Sequence, residues 1–578
     1  MTKSALQIAR AAYKPKMPAI LKGAVKAVDG ANTQSVADQD EIRKRFPHTY
    51  GMPIITFDKS EEKKTFPAIN AGVILSGGQA PGGHNVIAGL FDGLKDANKD
   101  SRLYGFLLGP GGLIAHRYEE LTKEVIDEYR NTGGFDIIGS DRTKLKKEKG
   151  HFDTAYEILK KLNIKALVII GGDDSNTNAC VLAEHFKSIN AGIQVIGCPK
   201  TIDGDLKNEQ IETSFGFDTA CKVYSEVIGN IQRDCNSAKK YWHFIKLMGR
   251  SASHIALECA LQTHPNICLI SEEVAAKNQT LDDIVEYIAR VVAARAFAGD
   301  KFGTVLIPEG LIEFIPEMKR LISELNDFLP KNEAEYKMVK KSEQRAYIIS
   351  KLTKENSELY ASLPENVARQ LTLDRDAHGN VQVSLIETEK LLAEMVGNRI
   401  SEWKREEEEK KSPSNTSVEI TDIHSPEIEE EKKDPSNTSF ATQVHFFGYE
   451  GRCAAPSNYD ADYCYSLGYT ASCLINADKT GYMASVRNTT APADRWIAGG
   501  VPITMMMNME KKEGEFTPVI QKALVRLDGA PFREFASKRD EWAIKTDYVY
   551  PGPIQYFGPT EVCDQPTITL KLEQQSKK

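Results

Sequence analysis

The sequence predicts an α/β protein of two Rossmann-like lobes with parallel-rich sheets, carrying an N-terminal arm and a helical insertion. Three observations predict it. The chain has 578 residues, too many for one hydrophobic core, so two or three packed units are expected. Short continuous apolar runs alternate with longer helical stretches between residues 70 and 310, the pattern of parallel strands covered on both faces. Nearly every run is followed at once by glycine, a charge or both, and ligands of open α/β sheets sit beyond the carboxyl ends of the strands.

The elements follow in order. No acidic residue precedes Asp29, and this opening stretch is basic and Ala-rich. That composition suits an organelle transit peptide, but a lone Arg, few hydroxyl residues and the interrupting Pro15 and Pro18 favour a structural arm over residues 1–70. A first lobe is expected over 71–243, with strands at 71–75 (AGVIL), 166–170 (ALVII) and 193–197 (IQVIG). A second is expected over 244–578, with strands at 244–248 (FIKLM), 267–270 (ICLI) and 304–307 (TVLI), its C-terminal part crossing back to the first lobe. Residues 311–403 read as helices.

Residues 404–439 change character. They are charged and rich in Ser, Pro and Asn, and they hold near-copies, EEEKKSPSNTS at 407–417 and EEEKKDPSNTS at 429–439. Almost nothing apolar is available to bury, so a solvated, disordered loop is expected. Ser412 and Ser425 each precede proline, so a phosphorylated or partner-binding loop is the alternative to plain decoration. Ordered sequence resumes at FATQVHFFGYEGR (440–452).

Composition excludes several classes. A net charge of −8 argues against a general binder of nucleic acid or anionic membrane. The absence of any run of 18 or more apolar residues argues against a membrane span. The 10 Cys form no CxxC pair and the 11 His no HxxxH pattern, which argues against zinc and against a disulfide framework. A reducing, cytoplasmic setting is expected.

The chemistry lies at the strand ends. SGGQAPGGHN (76–85) offers exposed N–H groups ahead of a helix start near Asn85, a cradle for phosphate. It is neither a Walker A sequence nor a GxGxxG fingerprint, and a plain tight turn is the alternative. In GGDDS (171–175), Gly171 and Gly172 let a ligand approach the backbone, and Asp173 suits magnesium, directly or through water. A helix N-cap is the alternative for Asp173. PKTIDGDL (199–206) sets Lys200, Thr201, Asp203 and Asp205 at a strand end. The lysine is a compact positive charge for a transferring phosphoryl group, and a carboxylate close by can take a hydroxyl proton. Arg250 in MGRSAS, Glu309 in IPEG, and Tyr449 with Arg452 in YEGR complete a set suited to sugar hydroxyls and phosphate. Each alone reads equally as a structural charge. Together they fit moving a phosphoryl group onto a phosphorylated hydroxyl compound.

These segments resemble the phosphofructokinase family, and more closely its long pyrophosphate-dependent form. The resemblance runs in family order through SGGQAPGGHN, GGDDSNTNA, PKTIDGDL, SFGFDTACKVYSE, KLMGRSASHIALECALQTHPN, SEEVAAKNQTL, LIPEGLI and FFGYEGRCAAPSNYDADYCYSLGYTA, covering residues 70–315 and 440–500. The arm SALQIARAAYKPKMP is also similar to the family's. The resemblance implies the phosphofructokinase fold and reversible, Mg2+-dependent phosphoryl transfer from pyrophosphate to the 1-hydroxyl of fructose 6-phosphate, giving fructose 1,6-bisphosphate and phosphate.

It further implies that Asp203 is the base, that Asp173 binds magnesium and that Gly77 and Gly78 approach the donor. Thr201, Ile202, Met248, Gly249, Arg250, Glu309, Tyr449, Glu450, Gly451 and Arg452 would hold the sugar phosphate, with Arg142 facing phosphate. Lys240 and Tyr241 would serve a neighbouring subunit's sugar site, which implies a homodimer or a higher homo-oligomer. The position of Asp174 is similar to a Gly in relatives that use ATP, so a carboxylate there would fill and repel the nucleotide α-phosphate. With Lys200, it points to pyrophosphate. An ATP-dependent phosphofructokinase and a non-catalytic regulatory subunit are the alternatives. Asp174 argues against the first, Asp203 and Lys200 against the second. Two departures from the family pattern are Leu108 and Asp141, and the charge of Asp141 is expected to weaken the phosphate contact of Arg142.

Overall fold

Six apolar runs become six strands, and the polar segments between them decide how those strands are grouped. The computed structural model describes every residue except 1, 2, 4, 63, 64, 374–380, 382–384, 412–439, 513, 514, 554–563 and 578. Two compact units share the chain. The first comprises Met1–Val223, Gly448–Leu524 and Pro553–Lys578, and the second Tyr224–Phe447 and Val525–Gly552. The expected boundary at 243/244 is therefore displaced into the helix Phe217–Ala238. The reason is local packing: in the later turns Gln232 donates to Thr304 Oγ1 at 3.4 Å and Arg233 lies 4.3 Å over the Tyr550 ring. Residues 1–70 belong to the first unit and do not stand apart as an arm.

The chain begins in the first unit with β1 (Val25–Asn32), β2 (Pro53–Lys59), β3 (Asn70–Leu75), β4 (Arg102–Phe106), β5 (Tyr118–Glu120), β6 (Ile164–Gly171), β7 (Gln194–Thr201) and β8 (Phe215–Gly216). It gives the second unit β9 (Trp242–Leu247), β10 (Ile267–Cys268), β11 (Gly303–Pro308) and β12 (Thr442–Phe447). It then returns with β13 (Tyr482–Arg487), β14 (Ile497–Pro502), β15 (Met507–Lys512) and β16 (Glu515–Ile520).

In the first unit the strand order is β1-β2-β14-β13-β7-β6-β3-β4-β5, with β8 against β7. The centre, β13-β7-β6-β3-β4, is parallel, and the flanking pairs are antiparallel. The central strands are apolar along their length because both faces are covered, with Ile74, Leu167, Ile169, Val195 and Met483 in one core. From β3 the chain moves outward to β4, then comes back to place β6 on the other side of β3. This reversal is the topological switch point at which open α/β sheets bind ligands. The register pairs Leu75 with Ile170 and Gly171 with Pro199, so the segments after β3, β6 and β7 leave the sheet nearly level.

The N-terminal segment is packed into this unit. Arg10 is buried and donates to Asn458 Oδ1 at 3.0 Å and to the Pro456 carbonyl at 2.5 Å, while Tyr13 donates to Asp462 at 2.8 Å.

The second unit has a parallel sheet in the order β10-β11-β9-β12. The helices of 311–403 close its core, joining Leu321, Leu325, Ile348, Leu391 and Val396 to Phe244 and Val305. Buried Lys246 of β9 pairs with Glu389 at 3.1 Å and donates to the Ile386 carbonyl, tying the helix Thr388–Lys411 to the sheet. That helix corrects the expected loop start at 404. Lys, Arg and Glu are strong helix formers, and the described helix runs to Lys411. The rest of the repeated insertion, 412–439, lies outside the described residues. No helix among the described residues is long and apolar enough to cross a membrane.

Two helices of the first unit, Gly83–Ala97 and Asn458–Asn476, meet through glycine. A Cβ on Gly89 would stand 2.1 Å from the Tyr465 carbonyl oxygen, and one on Gly468 would stand 1.9 Å from that of Val86. Either Gly89→Val or Gly468→Val should therefore destabilise the protein by at least about 1–3 kcal/mol, seen as a lower thermal midpoint. An unchanged midpoint in both variants would mean that the helix contact is not as tight as described.

Candidate active site

The switch point gathers three strand ends. After β3, Gly77 takes φ +85°, a left-handed conformation that suits glycine, and this turns the chain sharply over the sheet. The turn is stitched to its neighbours. Gly77 N–H donates to the Asp141 carbonyl at 2.8 Å, Ser140 Oγ donates to the Gly77 carbonyl at 2.9 Å, and Ser175 Oγ donates to Ser76 Oγ at 2.8 Å. Gly78 is crowded by cations. A Cβ there would lie 2.6 Å from Arg452 Nη1 and 3.3 Å from Arg142 Nη2. Lys200, at the end of β7, donates from Nζ to the Gly78 carbonyl at 2.9 Å. Three cationic side chains thus converge on one glycine. Burial and then the nearby Arg452 push the Lys200 ammonium down to about 8, although Asp203 and Asp173 oppose the shift. This is a site built for an anion.

The helix Asp173–Ser188 starts directly after β6. Its N-cap is Gly172, which gives no side-chain cap, so Asp173 stands in the first turn and is not the N-cap. Asn176 locks this junction from below, donating to the carbonyls of Gly171 at 2.6 Å, Gly172 at 2.9 Å and Cys198 at 3.4 Å. Asp173 is partly exposed and Asp174 exposed beside it.

After β7 the chain turns through Thr201, Ile202 and Asp203. Asp203 N–H donates to Thr201 Oγ1 at 3.1 Å. The Ile202 side chain is wholly buried, so only its backbone can meet a ligand. Asp203 lies 3.9 Å from Arg452 Nη2, and its buried Oδ1 has no hydrogen-bond partner. Such an orphaned buried oxygen calls for an explanation, and a substrate hydroxyl at this position supplies one. Burial and the adjacent Asp203 push the Asp205 carboxyl upward.

Lys522, which no sequence pattern marks, also reaches this group, with Nζ 3.8 Å from Asp173 Oδ2. It follows the β15–β16 hairpin, far from the motifs in sequence, and only the fold reveals it. The Asp141 carboxylate accepts from the N–H groups of Gly111 and Thr143 at 3.3 and 3.2 Å and from Thr143 Oγ1 at 2.5 Å. The carboxylate is thus held by the start of the 109–114 helix and by Thr143, on the residue next to Arg142.

In the first unit, Tyr449 is exposed, Gly451 is buried, and Glu450 accepts from the Gly448 N–H at 2.7 Å. The other predicted residues lie in the second unit. Gly249, at φ +127°, donates its N–H to Glu309 Oε2 at 2.9 Å, and Met248 N–H donates to the Phe447 carbonyl. Arg250, half exposed, lies 3.4 Å from Glu313. Lys240 Nζ sits 4.9 Å over the Tyr241 ring. Lys240 and Tyr241 precede β9, whereas Met248–Arg250 follow it, so within one chain the strand separates them by about 20 Å.

The donor set can be tested against a cation. Among the described residues no group of three or more His, Cys, Asp or Glu side chains forms a metal site by itself. The partly exposed Asp173 at the helix start offers a hard oxygen donor instead, which fits Mg2+, an ion usually held by one or two carboxylates together with substrate phosphates.

The family model described as phosphofructokinase matches residues 70–354. Over the full length, the chain is 64% identical to a pyrophosphate–fructose 6-phosphate 1-phosphotransferase of Porphyromonas gingivalis, the alignment covering 100% of both chains. It is 52% identical to the protein of that name from Treponema pallidum, covering 99% of this chain and 97% of the relative, and 50% identical to that from Entamoeba histolytica, covering 99% and 100%. A solved pyrophosphate-dependent phosphofructokinase from Nitrosospira multiformis superposes with a TM-score of 0.52 at 15% identity, covering 87% of this chain and 98% of that one. One from Marinobacter aquaeolei gives 0.51 at 14% identity, covering 83% and 93%. These two show the shared fold, and identity over the full length to the three relatives shows the lineage: the chain belongs to the phosphofructokinase family.

Proposed function

We propose that this chain catalyses reversible transfer of a phosphoryl group from pyrophosphate to the 1-hydroxyl of fructose 6-phosphate, giving fructose 1,6-bisphosphate and phosphate. The observation that carries the reading is the juxtaposition of Lys200, Arg142 and Arg452 around Gly78 with Asp174 beside the Asp173 turn. The names of the 47–64% identical relatives support the same donor and acceptor.

The mechanism needs no covalent intermediate. Gly77 and Gly78 bring backbone close to the donor, and Lys200 with the two arginines neutralises charge as it develops on the transferring group. Asp203 takes the proton of the 1-hydroxyl at its orphaned Oδ1. Asp173 would hold Mg2+, which when bound neutralises donor phosphate charge. Sugar-phosphate contacts are assigned, by resemblance to the family, to Thr201, Ile202, Tyr449, Glu450, Gly451 and Arg452 of the first unit and, separately, to Met248, Gly249, Arg250 and Glu309 of the second. Pyrophosphate has no nucleotide handle, and its cleavage here is nearly balanced, so the reaction runs both ways.

Asp174 sets the donor. A carboxylate about 4 Å from a nucleotide α-phosphate costs at most about 4 kcal/mol at an effective dielectric near 20, roughly a thousandfold, and its exposure lowers that figure. The placement of Lys240 and Tyr241 at the opposite end of β9 from Arg250 supports their use by a neighbouring subunit, hence a homodimer or larger homo-oligomer. A cytoplasmic location accords with a metabolic enzyme of this chemistry.

Three outcomes test the reading. Asp203→Asn should lower kcat by at least about a hundredfold while the KM for fructose 6-phosphate stays within a few-fold; full activity would remove Asp203 from the base role. Asp174→Gly should make fructose 1,6-bisphosphate formation from ATP measurable, and continued silence with ATP would refute the selector role. Lys200 is cationic below about pH 8 and neutral above it, so kcat/KM for pyrophosphate should decline above about pH 8. In Lys200→Arg, which keeps its charge, that decline should move to higher pH. An unshifted decline would assign it to another group.

A further inference from the structure

Asp173, Asp174, Asp203 and Asp205 all stand at the strand ends where a polyanionic donor must also fit. Lys200, Arg142 and Arg452 occupy the Gly78 side. On the carboxylate side stands Lys522, with Nζ 3.8 Å from Asp173 Oδ2 and its side chain 44% exposed. That distance is an ion pair and is too long for a tight charge-assisted hydrogen bond. The backbone on either side of the lysine is pinned. Gln521 N–H donates to the Met506 carbonyl at 2.8 Å, and Ala523 N–H donates to the carbonyl of Asp205 at 2.7 Å. The segment after β16 is thus fastened to the loop that carries Asp203, and the lysine stem starts from a fixed point.

We propose that Lys522 binds the leaving phosphate of the pyrophosphate donor and offsets the repulsion that Asp174 imposes on it. The proposal rests on the pyrophosphate reading given above. Its physical basis is a conflict within that reading. A carboxylate placed to exclude a nucleotide α-phosphate also stands next to the phosphate that the small donor keeps at the same end. Without an opposing cation the selector would weaken binding of its own substrate. Lys522 supplies that cation as a compact point charge. A nucleotide, still blocked by the bulk of Asp174, gains little from it. In the reverse direction the same ammonium receives inorganic phosphate. No bond to Lys522 forms or breaks.

The test is steady-state kinetics of the full chain in both directions, with Lys522→Met, Lys522→Gln and Lys522→Arg. Lys522→Met and Lys522→Gln should each raise the KM for pyrophosphate and for inorganic phosphate at least about tenfold, leave that for fructose 6-phosphate within about twofold, and keep the thermal midpoint. Lys522→Arg should restore most of the loss. In the Asp174→Gly background, Lys522→Met should cost less than about threefold, because the repulsion it offsets is gone. An unchanged KM for pyrophosphate in both neutral variants would overturn the proposal. So would an equal rise for fructose 6-phosphate, or a change confined to the Mg2+ concentration needed for half activity. Wild-type protein that turned over ATP and not pyrophosphate would instead refute the donor reading on which the proposal stands.

Discussion

The chemistry of the first unit depends on register. β3, β6 and β7 run parallel and end level, with Leu75 beside Ile170 and Gly171 beside Pro199. Only in that alignment do the Gly77 turn, the helix start at Asp173 and the ammonium of Lys200 meet. A slip of one residue would turn Lys200 to the other face of the sheet and lose its bond to the Gly78 carbonyl. The buried Asn176, bonded to both the β6 and β7 ends, resists that slip and positions the site without touching a substrate. Close packing of these strands in the core adds to that resistance.

What could be read from the sequence follows from the same physics. The central strands announce themselves as continuous Val, Ile and Leu runs, and all six predicted runs overlap observed strands. The flanking strands do not. β1 has no buried residue, so it carries no apolar run to read. β13 and β14 lie far along the chain and complete the first sheet through contacts that no local pattern encodes. In the site, Asp173, Lys200 and Asp203 were legible because they lie at or just after strand ends. Lys522 was not, since its role depends on a hairpin delivering it to the TIDGD loop.

Asp141 and Leu108 show how departures from a family pattern can compensate. Leu108 adopts φ +58°, uncommon for a branched side chain, immediately before Gly109. The Asp141 carboxylate bonds the same 109–111 turn, and a Cβ on Gly139 would touch Leu108 Cδ2 at 2.7 Å. Each residue looks anomalous alone. Together they form one local arrangement in which a carboxylate satisfies backbone N–H groups next to Arg142.

The first unit is assembled from three separate stretches of chain, and this bears on how the protein is made. β7 acquires its neighbour β13 only when residues near Tyr482 exist, long after Thr201 has left the ribosome. At about 5–20 residues per second, the parallel edge of β7 waits tens of seconds for that partner. Meanwhile the second unit's sheet can already close, since β9 to β12 are complete by Phe447. The unit that starts first therefore finishes last, and a nascent chain exposes an apolar strand edge that chaperones would have to shield.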